Sequence, residues 1–62
     1  MVDPIMKFFN YGHLPEYLQN ISKPFWELAM RLHELLPDNE ERKVSLRKLL
    51  ESKDAAVRSN IN

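Results

Sequence analysis

The segment LRKLLESKDAAVR, residues 46–58, carries the densest run of side chains able to do chemistry. Wound at 3.6 residues per turn, Leu46, Leu49, Leu50 and Val57 form one apolar stripe. Position 53 should complete that stripe, but Lys53 stands there, followed by Asp54. Beside it Arg47, Glu51, Asp54 and Arg58 recur at i, i+4, i+7 and i+11 and make a continuous polar face. As plain helix-surface pairs, Arg47 with Glu51 and Asp54 with Arg58 contribute roughly 0.2–0.5 kcal/mol each. That reading leaves Lys53 unexplained. A lysine in an apolar stripe either snorkels its ammonium past the leucines or meets an anion. The anion is then Asp54 or Glu51 of a neighbouring chain, or a bound phosphate.

These residue types fit binding better than turnover. Arg and Lys supply phosphate contacts, Asp accepts from a base or sugar hydroxyl, and Tyr11, Phe9 or Trp26 can stack on a base. Gly12-His13 gives a flexible corner with a donor beside the aromatic run FFNY, although a lone His in a turn also reads as incidental. The candidate ligand-binding set is Tyr11, His13, Arg47, Lys53, Asp54 and Arg58. Catalysis is harder to assemble. There is no Cys, no Gly-rich phosphate loop and no Ser–His pair on a strand–turn–helix scaffold. Ser22, Ser45, Ser52 and Ser59 sit at cap or helix-surface positions, and a single hairpin has few ways to exclude water from a reaction. His13 and His33 lack HxxxH or HExxH spacing, so neither a metal site nor a cofactor is expected.

The elements that must hold these residues are helical. The first helix should begin near Leu14-Pro15-Glu16, with Pro in its first turn and Glu16 near the positive end of the dipole. Tyr17, Ile21, Phe25, Leu28, Leu32 and Leu35 continue as one stripe straight through Pro24. One helix over about 15–36, kinked at Pro24, is preferred to a restart capped by Ser22. Pro37 stops it, and Asp38 with Glu41 fits an acidic capping box. A connection of two or three residues forces an antiparallel hairpin. The second helix should run over about 39–58, with SNIN fraying beyond it. Residues 1–14 form an N-terminal aromatic arm and 15–60 the hairpin. Within the arm KFFNY reads as extended, with Phe8 and Asn10 on one side and Phe9 and Tyr11 on the other. Phe8, Phe9 and Tyr11 can then plug the end of the helical core. The fold class expected is all-α.

Sixty-two residues bury only about 60% of the surface the unfolded chain exposes. Without disulfides or metal, the missing burial is expected from another copy. Trp26, Ala29 and Met30 also widen the apolar sector of the first helix beyond one partner helix, which favours a dimer or larger oligomer. No apolar run approaches the ~18–20 residues of a membrane span. MVDPIMKFF lacks the pattern of a signal peptide. The expected location is therefore the cytoplasm. Net charge is zero, but residues 1–41 carry three basic and seven acidic groups, and residues 42–62 six basic and two acidic. The halves attract each other as antiparallel helices, or the second helix offers a cationic surface. Overall neutrality, with Glu51 and Asp54 interleaved, argues against nucleic acid as the partner.

The order FFNY, LPEYLQ and ELAMRLHELLPDNEERKVSLRKLLESKDAAVR resembles the helical-hairpin domain shared by phage anti-CBASS and anti-Thoeris sponge proteins. In that family a Pro-Glu start leads to an ELA-type helix, a short turn and a second helix of the pattern SLALxKLEEA…AAxxR. The similarity covers about residues 8–58, and LLPDNEERKVSLRKLLES is its most specific part. The resemblance implies a non-catalytic oligomer, often a hexamer. Such oligomers trap cyclic oligonucleotide or cyclic ADP-ribose signals between protomers in the host cytoplasm during infection. Tyr11 falls at the family's arm aromatic and Arg58 near its terminal basic residue. Lys53 and Asp54 depart from the pattern, where the family's second helix turns aromatic. The alternative is an oligomeric hairpin that docks on a protein through a Trp26/Met30 surface and takes no small molecule.

Overall fold

A computed structural model describes residues 3–61. Met1, Val2 and Asn62, at the ends of the expected arm and of SNIN, lie outside the described residues. A 3-10 helix over Pro4–Phe9 is followed by α1, Glu16–Leu35, and α2, Glu40–Ser59. A 20-residue helix is about 30 Å long, and the molecule measures 37 × 18 × 16 Å. The two helices therefore lie side by side along its length, joined by residues 36–39. The chain is all-helical, with the hairpin its sequence predicts. No helix among the described residues is long and apolar enough to cross a membrane.

The arm is not extended. Asp3 caps the 3-10 helix by accepting from the Ile5 backbone N–H at 3.1 Å, and Pro4 opens its first turn with φ already set. At three residues per turn Met6 and Phe9 share one face. Both are buried, Phe9 completely, while Phe8 points outward. Period three, not period two, orients the aromatics. Phe9 thus plugs the core as expected, and Phe8 does not. The Asp3 backbone N–H donates to Nε2 of His33 at 3.1 Å and ties the start of the arm to α1.

In α1, Pro15 is the cap residue instead of the first helical one, and its carbonyl accepts from the N–H groups of Leu18 and Gln19. Gln19 reaches back with its side-chain amide to the Leu14 carbonyl at 2.8 Å. The helix runs unbroken through Pro24, so Ser22 caps nothing. It is instead fully buried, and its hydroxyl has no partner within the protein. The buried face is Leu18, Ser22 and Ala29, with Phe25, Trp26 and Leu32 half-buried. The expected stripe is therefore turned by about one residue, roughly 100°. Tyr17, Leu28 and Leu35 lie outside at 54%, 46% and 69% exposure. Small side chains at 22 and 29 let neighbouring elements approach closely, which a row of leucines would prevent.

The turn also differs by one residue. Asn39, not Asp38, caps α2, accepting from the Arg42 backbone N–H at 2.9 Å. Asp38 instead pairs with the Arg42 guanidinium at 3.0 Å. Arg42 is buried and donates to the carbonyls of His33 and Leu36 at 3.3 and 3.5 Å. Those are end-of-helix carbonyls with no partner inside α1 and with partial negative charge. One side chain thus closes the hairpin. The core lies where all three elements meet: Met6, Phe9, Ala29 and Leu46, surrounded by Ile5, Phe25, Trp26, Leu32, Leu49 and Leu50. The arm supplies the cover for Trp26 and Ala29 that a second helix alone could not.

Candidate functional site: a cationic cleft beside the N-terminal turn

Lys53 occupies the stripe position where α2 would bear a leucine, and it is 9% exposed. Its ammonium donates to the Phe8 carbonyl at 2.7 Å and pairs with Asp54 Oδ1 at 3.2 Å. The Phe8 carbonyl lies at the C-terminal end of the 3-10 helix, where the helix itself leaves oxygens unpaired. Lys53 therefore caps the arm from across the chain. The counter-charge expected from a neighbouring copy or a bound phosphate is supplied within the chain, by Asp54.

That contact forms the floor of a cleft of about 360 Å³. The arm contributes Lys7 and Phe8, the turn after it His13 and Leu14, and the last turns of α2 contribute Lys53, Asp54, Val57 and Arg58. Three permanent cations line it against one carboxylate, which Lys53 already engages. Lys7 and Arg58 make no ion pair among the described residues. The Lys7 ammonium lies 5.1 Å from the centre of the Phe8 ring, so a cation and an exposed aromatic face form one wall.

Four of the six residues singled out from sequence share this cleft: His13, Lys53, Asp54 and Arg58. Tyr11 does not line it. Its ring packs edge-on against Trp26, with centroids 5.7 Å apart at 70°. Arg47 does not line it either; it is exposed and makes no ion pair among the described residues. The expected pairs are redistributed as well. Glu51 meets Lys48 at 3.7 Å instead of Arg47, and Asp54 meets Lys53 instead of Arg58. Sequence reasoning missed Lys7 and Phe8. Their signal is the period-three spacing of Met6 and Phe9, which turns both into the cleft's wall once those two are buried.

The cleft lies within one chain, whereas the resemblance implies pockets between protomers. Among the described residues no three His, Cys, Asp or Glu side chains gather as a metal site would need. What the arrangement offers is two cations not neutralised by acid, one exposed ring and one partly satisfied carboxylate. These are groups that hold a phosphate and an attached heterocycle. Comparison of the chain with family models, curated proteins and solved structures gave no match.

Proposed function

We propose that the protein is a non-catalytic sponge, whose cleft between the 3-10 helix and the end of α2 sequesters a small phosphorylated signal. The ligand class is a cyclic di- or trinucleotide or a cyclic ADP-ribose-type molecule, withheld from a host anti-phage effector. The observation that carries this reading is the meeting of Lys7, Arg58 and the exposed Phe8 ring around one cavity. Lys7 and Arg58 take the phosphate oxygens, Phe8 stacks on a base, and the second oxygen of Asp54 accepts from a sugar or base donor. The volume, about 360 Å³, lies at the small end of ligand sites and suits one nucleotide unit of a larger ring. The family resemblance of residues 8–58 supports the choice of a cyclic nucleotide over other phosphates.

The experiment is a thermal melt of the full chain against inorganic phosphate, cyclic di- and trinucleotides and cyclic ADP-ribose. A ligand at a hundred times its Kd adds about 2.7 kcal/mol. For a domain of this size that raises Tm by about 10 °C or more. Arg58→Ala and Lys7→Ala should each remove most of the rise while leaving the ligand-free Tm within about 2 °C, since both side chains are exposed. No rise with any cyclic nucleotide contradicts the reading. A second reading, an interaction module without a small-molecule ligand, draws on the outward apolar row of Tyr17, Leu28 and Leu35 instead of Trp26, which packs on Tyr11. It predicts no rise in the same panel.

A further inference from the structure

The stripe read from the sequence of α1 exists, but it faces away from the chain's own core. Tyr17, Ile21, Pro24, Leu28 and Leu35 advance in steps of four, three, four and seven residues, which keeps them on one side of a helix. Tyr17, Leu28 and Leu35 are 54%, 46% and 69% exposed, so neither α2 nor the 3-10 helix covers the row. Burial elsewhere is thin. The fully buried apolar residues are Met6, Phe9, Leu18, Ala29 and Leu46, with neither disulfide nor Cys to reinforce them. A chain of this size gains stability most directly by covering such a row.

The geometry points to a second copy of this chain as the cover, with the two α1 helices antiparallel about a two-fold axis at Leu28. Leu28 then meets Leu28 of the second copy, and Ile21 meets Leu35. The charges flanking the row choose this arrangement. In it Glu27 lies opposite Arg31 and Lys23 opposite Glu34, and symmetry makes each pair twice. Lys23, Glu27, Arg31 and Glu34 are all exposed, and none makes an ion pair within the chain among the described residues. A parallel pairing would set Glu27 on Glu27 and Arg31 on Arg31, which repels. The cleft draws no residue from α1, so the seam leaves it open and does not depend on its having a ligand.

Sedimentation equilibrium on the full chain tests the seam. Wild type should weigh twice its 7.4 kDa at micromolar concentration. Leu28→Glu should weaken association by about a hundredfold by burying an unpaired charge. Because Leu28 is 46% exposed, that variant should keep its helical circular dichroism. Glu27→Arg alone should weaken the dimer, and Glu27→Arg with Arg31→Glu should restore it by inverting the pair. A wild type that stays at 7.4 kDa overturns the proposal. So does a dimer indifferent to Leu28→Glu, or a double swap as weak as the single one. A row protected only when a foreign protein is added also overturns it and assigns the surface to that partner.

Discussion

Lys53 shows how much a single residue can disclose. Its conflict with the leucine stripe is plain in the sequence, and the structure keeps it buried at that position. Its partner is not legible, because the Phe8 carbonyl lies 45 residues away and is reached only once the arm has folded. A charge-assisted hydrogen bond is worth about 1.5–3 kcal/mol. The Asp54 side chain is 47% exposed, so solvent screening reduces what the ion pair adds. Lys53→Met should therefore cost about 1–2 kcal/mol and lower Tm by about 5–15 °C in a melt without ligand. Arg58→Ala should not lower it, although the two cations share a cleft. An equal loss in both would mean that Lys53 has no structural task of its own.

At the level of elements, the strong periodic signals were readable and the short ones were not. Both long helices, Pro37 as a stop and the tight connection follow from patterns that extend over many residues. The cap shifted from Asp38 to Asn39 because either side chain can accept from the first turn, and Asp38 is held by Arg42. The face of α1 was misjudged because two apolar rows run along it, and the small residues Ser22 and Ala29 select the buried one. The arm is too brief for its period to show, so two and three residues per repeat could not be told apart. Its contribution is large nonetheless. Phe9 is 0% exposed at the centre of the core, and Phe→Ala at such a site costs about 3–5 kcal/mol. A domain of this length has about 3–9 kcal/mol in all. Phe9→Ala should lose most of its cooperative melting by circular dichroism, whereas Phe8→Ala should melt within a few degrees of wild type. Near-equal melts would show that the arm is not part of the core.

The whole molecule places its charge where the hairpin can use it. The basic half, residues 42–62, brings Lys53 and Arg58 to the end of α2, and the fold adds Lys7 from the opposite end of the chain. That convergence is why His13, Lys53, Asp54 and Arg58 could be chosen from sequence while Lys7 could not. It also explains why Arg47 and Tyr11, equally suitable by type, belong elsewhere. The central claim is that this one cleft grips a phosphorylated ligand, and a titration followed residue by residue tests it most directly. Amide chemical shifts of the labelled full chain, recorded as a cyclic dinucleotide is added, should move saturably at Lys7, Phe8, His13, Asp54 and Arg58 and stay fixed at Arg47. Shifts that never saturate, or that gather away from the end of α2, would contradict it.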